Sequence, residues 1–291
     1  AWNGRVETTR LRATAAGKRI DWQDPLVIEF AAHQTKAGPV VDRAVCTSKF
    51  LTLEGSGTLD DLQGNGTLDL ATLITELEQF VDLGGLELAG AGSAKFRLQR
   101  KAQDAFAWRS DLKATNFALA VPGKRALRER TLAAQFDVDG HLEKTSAGWQ
   151  LASVEQSQLS VTAAAGEQLT VQLVQPVEKF SSPIVQLQID WKGPLAVWLP
   201  RIDPWISTID WRLEGNGNLQ ATAIYTREGV DVRSAKLTAQ PLRWSGAGVF
   251  IDERQAVANL QAKLDSFAGR ITIPNATLEA GPTVVSLANT E

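Results

Sequence analysis

Apolar and polar residues alternate with a period of two along most of the chain. The pattern is clearest at residues 133–139 and 185–191, and it returns at 171–175, 230–233 and 271–273. Successive side chains of a strand point to opposite faces, so each run has one apolar and one polar face. Such strands are typical of antiparallel sheets, and glycine turns punctuate them closely. We expect a mostly β protein, either a long curled antiparallel sheet or a β-sandwich.

Two segments have helical spacing instead. In the first, the apolar residues are Leu70, Leu73, Ile74, Leu77, Phe80 and Val81. This spacing predicts an amphipathic helix near 69–82, ended by Gly84-Gly85. In the second, they are Leu195, Trp198, Leu199, Ile202, Trp205 and Ile206. Pro200 and Pro204 interrupt this segment, so we expect short helical turns near 195–207.

The two helical segments begin an internal repeat. Their apolar positions match at a displacement of 125 residues, from 70 to 195, and so do the strands that follow, 86–92 and 211–217, each ending in Gly-x-Gly. A third Gly-x-Gly, at 55–57, has no helix before it and predicts a β-bulge or a tight bend. We expect two related halves, 1–145 and 146–291, as two domains or as one continuous sheet.

The charge balance and the single cysteine exclude several classes of protein. The formal net charge is -3 and the sequence pI is about 5.6, which gives no basic face for nucleic acid. Cys46 is the one cysteine, so an internal disulfide is impossible and a buried thiol is expected. The glycine pairs lack the lysine and helix of a phosphate-binding loop.

The sequence offers no catalytic or metal-binding motif. The two histidines, His33 and His141, are isolated, and no Cys/His pair has the spacing of metal ligands. Asp60-Asp61 and the Glu76/Glu78 pair are the nearest approach to paired carboxylates, and we interpret the two glutamates as the solvated face of the first helix. We expect no enzyme activity, no cofactor and no metal.

The tryptophans allow two interpretations. Trp191, Trp198, Trp205 and Trp211 lie close together in the sequence. Exposed and coplanar, they would form a stacking platform for sugars; buried, they would fill the core. Trp198 and Trp205 share an apolar face with Leu199 and Ile202, which favours the core for those two.

The helix and its following strand resemble the AsmA-like and TamB-like proteins of the diderm bacterial envelope. The resemblance lies in residues 70–98 and 195–223, where an amphipathic helix precedes a strand of the form Leu-x-Leu-x-Gly-x-Gly, with Trp211 at the first position of the second copy. It implies an N-terminal inner-membrane anchor and a periplasmic body of curled β-sheet with an apolar interior. The implied roles are phospholipid movement between membranes and support of outer-membrane assembly, without catalytic residues.

These features predict a non-catalytic periplasmic segment that shelters phospholipid or other lipid acyl chains along an apolar β-groove. The chain starts at Ala1 and has no methionine, so we expect it to be a piece of a longer protein. The inner-membrane anchor that the resemblance implies would lie upstream of it. Other envelope proteins are expected partners. The alternatives are a structural or protein-interaction module and a carbohydrate-binding module. The predicted ligand-contacting residues are Leu73, Leu77, Phe80, Trp198, Ile202 and Trp205.

Overall fold

The computed structural model forms two compact units, Ala1–Gln135 (unit 1) and Phe136–Glu291 (unit 2). The structure describes all residues except 9, 16–17, 23–25, 59, 102–103, 124–125, 147, 179–182, 203–207, 209, 247, 267–269 and 291. For residues 11–15, 18–22, 149 and 249 it describes the backbone alone. The boundary predicted after residue 145 lies ten residues beyond the boundary between the two units.

Unit 1 is an antiparallel sheet with one helix. Its elements are β1 (Trp2–Thr8), β2 (Leu11–Ala15), β3 (Lys18–Trp22), β4 (Leu26–Thr35), β5 (Gly38–Thr47), β6 (Leu51–Thr58), β7 (Asp61–Asp69), α1 (Leu70–Glu78), β8 (Glu87–Arg100), β9 (Ala105–Ala120) and the first part of β10 (Leu127–Thr145). The strands β1, β4, β5, β6, β7, β8 and β9 pair in that order. β2 and β3 form a separate hairpin.

Unit 2 repeats this plan. Its further elements are β11 (Gly148–Ala163), β12 (Gln168–Leu173), β13 (Val185–Pro194), a 3-10 turn (Leu195–Val197), α2 (Trp198–Ile202), β14 (Arg212–Thr226), β15 (Gly229–Gly246), β16 (Val249–Glu253), β17 (Ala256–Asp265), β18 (Arg270–Ala280) and β19 (Thr283–Thr290). From β11 to β15, neighbours in sequence pair with each other, and β17, β18 and β19 follow. β16 pairs with the end of β15.

The mostly β, antiparallel fold with two short helices is confirmed in the part of the chain that the structure describes. Apart from the β2–β3 hairpin and β16, the strands within each unit succeed one another in a series of antiparallel pairs. This arrangement is the extended sheet, not the sandwich. Alternating sequences suit it because each strand needs only one apolar face.

The internal repeat has the same strand register in both units. Leu62 pairs with Leu98 between β7 and β8, and Leu187 pairs with Ala223 between β13 and β14. Both partners are therefore displaced by the 125 residues seen in the sequence (62 to 187, 98 to 223). The helical segment lies between the two paired strands in each unit. The repeated element is thus strand, helical segment, strand and strand.

The first glycine of each repeated Gly-x-Gly is required by the backbone. Gly90 and Gly215 have φ angles of +119° and +117°, and each stands where the register with the next strand shifts. A Cβ atom on Gly90 would lie 2.8 Å from the carbonyl oxygen of Thr115. Gly57 has a φ of +134° and pairs with Val41 at the edge of the register shift between β5 and β6. A backbone irregularity therefore lies at the third Gly-x-Gly, where the sequence predicted a bulge or a tight bend.

Helix α1 starts where the sequence predicts and ends earlier. Asp69 caps it, because its side chain accepts a hydrogen bond of 2.9 Å from the backbone N–H of Thr72. The helix ends at Glu78 and not near residue 82. Gly84 and Gly85, expected to end it, lie in a later turn with φ angles of +63° and +75°. The end was predicted wrongly because apolar residues continue in the turn beyond the helix.

The second helical segment consists of a 3-10 turn and a five-residue helix, Leu195–Val197 and Trp198–Ile202. Two short pieces in place of one clean helix are what the prolines predicted. Trp205, which also belongs to the predicted helical turns, lies outside the described residues.

We predict that replacement by alanine destabilises the protein at the first glycine of the first repeat and has little effect at the second. Gly90→Ala should lower the free energy of unfolding by about 1–3 kcal/mol, since φ is positive and two carbonyl oxygens crowd the new methyl group. Gly92→Ala should change it by less than about 1 kcal/mol, because its nearest neighbour would be Leu68 Cβ at 3.4 Å. Urea denaturation followed by circular dichroism measures both. Equal effects would contradict the role given to Gly90.

Candidate functional site

One ladder of directly paired residues crosses seven strands of unit 1 on its apolar face. From β1 to β9 it consists of Val6, Ile28, Cys46, Leu53, Gly66, Ala94 and Leu112. Directly opposite residues of antiparallel strands point to the same face. With strands about 4.8 Å apart, the ladder is about 29 Å long. We call the face of the sheet that carries it the inner face of unit 1.

The next ladder along the same strands faces the other way and is polar. It consists of Arg5, Glu29, Val45, Glu54, Asn65, Lys95 and Asp111. Arg5 Nη1 donates to Glu29 Oε1 at 2.6 Å. One residue of register therefore separates an apolar ladder from a polar one, as period-two alternation requires.

Paired charges continue on the polar face. Arg97 Nε and Nη2 donate to the two carboxylate oxygens of Asp61 at 2.8 Å and 2.6 Å. These hydrogen bonds hold the pKa of Asp61 below its ordinary value and raise the pKa of Arg97. Asp60 lies 3.6 Å from Arg100, so both members of the Asp60-Asp61 pair contact an arginine. The geometry is that of a solvated, ion-paired surface.

The inner face of unit 1 is open to solvent. Val6 is 54 % exposed and Leu112 is 45 % exposed, with Ile28 and Leu53 at 36 %. Among the described residues, the buried apolar side chains of this unit are only Ala32 and Ala107. A contiguous apolar surface that remains exposed is unusual in soluble proteins and marks binding sites.

The inner face contains a cavity of about 420 Å³, formed by β6, β7, β8, β9, the start of β10 and Leu70. Its floor is made by the small residues Gly66, Gly92 and Ala94, and its walls include Leu53 and Leu112. The volume falls in the range of ordinary small-molecule pockets, about 300–1,000 Å³. Its lining is largely apolar, so it offers contact and few hydrogen bonds.

Leu73, Leu77 and Phe80, the predicted ligand-contacting residues of unit 1, do not line this cavity. Leu73 and Leu77 are on α1, with Leu77 41 % exposed, and Phe80 is half-buried in the following turn. In unit 2, Trp198 is 36 % exposed and Ile202 is half-buried on α2. Trp205 lies outside the described residues. Their contact with a ligand remains a prediction.

The solvated face assigned to the first helix was wrong for Glu76. Its side chain is buried, with Lys49 Nζ 3.3 Å from its carboxylate and Gln79 Nε2 donating to it at 2.8 Å. Leu77 is exposed instead. A buried carboxylate needs a cation and hydrogen bonds, and the residue spacing within the helix could not show that Lys49 supplies the charge.

Unit 2 has an equivalent ion pair with the charges exchanged. Arg201, which occupies the repeat position of Glu76, has Nη1 2.5 Å from Glu167 Oε1. Glu167 is buried and also accepts a hydrogen bond from the indole N–H of Trp191. The guanidinium of Arg201 lies 5.6 Å from the ring centroid of Trp198. A salt bridge thus links the helical segment to a turn between two strands in both units.

The tryptophan pairs do not form a coplanar platform in the part of the chain that the structure describes. The rings of Trp191 and Trp198 are inclined at 66° and those of Trp211 and Trp244 at 52°. Trp191 is 2 % exposed and belongs to the core of unit 2. The core interpretation therefore fits Trp191, but Trp198, for which the sequence favoured the core, is 36 % exposed. Neither of these ring pairs has the coplanar geometry that stacking on sugars would use.

The histidines lie on the surface, each beside a carboxylate. His33 Nδ1 is 3.0 Å from Asp42 and His141 Nε2 is 3.0 Å from Glu155. No group of three or more His, Cys, Asp or Glu side chains could hold a metal ion within the described ranges. Among those same residues, no helix has the length and apolar character to cross a membrane.

Comparisons with models of protein families, with curated proteins and with solved structures gave no match. The candidate site therefore stands on its own geometry. The sequence predicted an apolar groove, and the residues assigned to its lining were those on the predicted inward face near the repeated helix and strand. The signal for the cavity was the small residues Gly66, Gly92 and Ala94 inside otherwise alternating apolar strands.

We predict that the two salt bridges differ in their contribution to stability. Arg201→Met should lower the free energy of unfolding by about 3–5 kcal/mol, because both partners are largely buried, at 18 % and 7 % exposed. Lys49→Met should cost less, since Lys49 is 57 % exposed and water can replace it beside Glu76. Chemical denaturation of the full chain measures both variants. A larger loss for Lys49→Met would contradict this ranking.

Proposed function

We propose that the inner face of unit 1 binds hydrocarbon chains, and that the protein shelters or transfers the acyl chains of phospholipid or a related lipid. The observation that carries the proposal is the exposed apolar ladder from Val6 to Leu112, about 29 Å long, with the cavity over Gly66. One leaflet of a bilayer core is about 15 Å thick, so the ladder has room for an extended acyl chain.

The backbone of the inner face favours hydrocarbon over peptide. From β4 to β8, each strand is paired along both edges, so its N–H and C=O groups are already bonded. An extended peptide lying on this face would bury its own polar groups without partners, at a cost of about 1–3 kcal/mol each. An acyl chain has no such groups and gains about 0.8 kcal/mol for each buried CH₂.

The charge arrangement supports the same assignment. The opposite face carries ion-paired side chains, such as Arg97 with Asp61. An acyl chain bound there would remove these charges from water, which is unfavourable. The binding surface is therefore one-sided. No chemical step is needed, because sheltering an acyl chain requires only apolar contact, and we assign the protein no enzymatic role.

The cellular setting extends this proposal. The resemblance of the repeats to AsmA-like and TamB-like proteins supports a periplasmic location, an inner-membrane tether upstream and a role in outer-membrane homeostasis. An open β-groove is the architecture that such a role requires. Other envelope proteins would then be neighbours that donate or accept the lipid.

Cys46 provides a direct test, because it is the single cysteine and lies within the apolar ladder between Ile28 and Leu53. Palmitate in the groove should slow alkylation of Cys46 by a maleimide. Burial of about ten CH₂ groups gives about 8 kcal/mol before ordering costs, so dissociation constants above 1 μM are expected. At ten times the dissociation constant, protection should be about tenfold.

The matched control moves the thiol by one residue. In the double variant Val45→Cys, Cys46→Ser, the cysteine lies on the polar ladder between Glu29 and Glu54. Its alkylation should not respond to palmitate. Equal protection at both positions, or none at Cys46 at saturating palmitate, would refute binding on the inner face.

A charge placed on the inner face should weaken palmitate binding. Leu112→Asp puts a carboxylate into the ladder, and we expect at least about tenfold weaker palmitate binding in isothermal titration calorimetry. Leu112 is 45 % exposed, so the unliganded fold should tolerate the change. Lys95→Asp places the same side chain on the polar ladder, on the opposite face, and should leave palmitate affinity within about twofold. Unchanged affinity for Leu112→Asp would contradict the proposal.

A further inference from the structure

The two units carry different residues at equivalent positions of the same apolar ladder. In unit 1 the ladder runs Leu53, Gly66, Ala94 and Leu112. In unit 2 the corresponding ladder runs Leu169, Trp191, Leu219 and Leu237. The outer positions are leucine in both. The two middle positions are small in unit 1 and large in unit 2.

The middle positions decide whether space remains above the sheet. Gly217 of unit 2 is covered, since a Cβ atom on it would meet Leu195 Cδ2 at 2.6 Å and the Trp191 ring at 2.7 Å. Gly92 occupies the same repeat position in unit 1, and its nearest neighbour would be Leu68 Cβ at 3.4 Å. The space that Trp191 fills in unit 2 is therefore part of the open cavity in unit 1.

The Trp191 ring is held firmly in place. It is 2 % exposed, packs with Leu195 in the core, and donates its indole N–H to Glu167, which also pairs with Arg201. Gly193 leaves room for Glu167, whose Cα and Cβ would lie 3.1 Å from a Cβ at that position. Displacing the ring would leave the buried carboxylate of Glu167 without one of its hydrogen-bond donors. Displacement of Trp191 by a ligand is therefore unfavourable.

From these differences we infer that residues 66 and 94 determine where lipid binds. Gly66 and Ala94 keep the inner face of unit 1 open to an acyl chain, whereas Trp191 and Leu219 close the same site in unit 2. At this position of the repeat, acyl-chain binding is then confined to unit 1. This inference rests on the proposed function and adds the residues that control its location.

The test maps the binding position with palmitic acid that carries a diazirine at mid-chain. After photolysis of the full chain, labelled peptides are identified by mass spectrometry. For the unchanged protein we expect label on β6 to β9 and none above background on β12 to β15. Equal label in both regions would overturn the inference and leave the proposed function intact. Label in neither region would overturn both.

Two exchanges between the units complete the test. Ala94→Leu introduces the side chain found at position 219 and should reduce label on β6 to β9 about tenfold, because it displaces about two CH₂ groups of the ligand. Lys95→Leu places the same side chain on the polar ladder, on the opposite face, and should leave the label unchanged. An equal loss for both, or no loss for Ala94→Leu, would overturn the assignment of residue 94.

The reverse exchange opens unit 2. Leu219→Ala removes one filling side chain, and the double variant Trp191→Ala, Leu219→Ala removes both. We expect new label on β12 to β15 in the double variant, while label on β6 to β9 stays as in the unchanged protein. Circular dichroism establishes that each variant keeps its β-sheet content. A folded double variant without label on β12 to β15 would show that residues 191 and 219 do not close the site.

Discussion

Direct cross-strand pairing is the constraint on which the rest of this structure depends. Because each strand alternates its side chains, fixing the register of one pair fixes which face every residue occupies. Val6 and Ile28 meet at one end of unit 1, and Ala94 and Leu112 meet at the other, on the same face. A register slip of a single residue would exchange the apolar ladder for the charged one. The ion pairs on the polar face, such as Arg5 with Glu29, oppose that slip.

The apolar ladder is covered around Trp191 in unit 2 and left open to water in unit 1. The proposed function depends on this difference. In unit 2, side chains of its own strands and of the segment after β13 fill the interior around Trp191 and Leu242. Unit 1 leaves Leu53 and Leu112 partly in water. Because these side chains remain exposed, unit 1 lacks the stabilisation of about 25 cal/mol for each Å² of apolar surface that burial would give. A bound acyl chain would recover it, so the stability of unit 1 and its affinity for lipid are linked.

The sequence predicted what periodicity encodes and missed what depends on distant residues. Alternation predicted the antiparallel strands, the helical spacing that begins at Leu70 predicted the start of α1, and the 125-residue displacement predicted the repeated element. The burial of Glu76 could not be predicted, because its cation, Lys49, lies 27 residues earlier in the chain. The cavity was missed for a similar reason. Gly66 and Ala94 become neighbours only when β7 and β8 pair.

The exchanged salt bridges have a consequence for how tandem repeats reach the correct partners. Position 76 carries a glutamate that pairs with Lys49, and position 201 carries an arginine that pairs with Glu167. If α1 docked on the sheet of unit 2 during folding, Glu76 would meet Glu167; if α2 docked on unit 1, Arg201 would meet Lys49. Like charges in a poorly hydrated site repel strongly. The opposite charges at positions 76 and 201 therefore disfavour docking of a helical segment on the wrong unit. Such misassembly is a characteristic failure of repeat proteins.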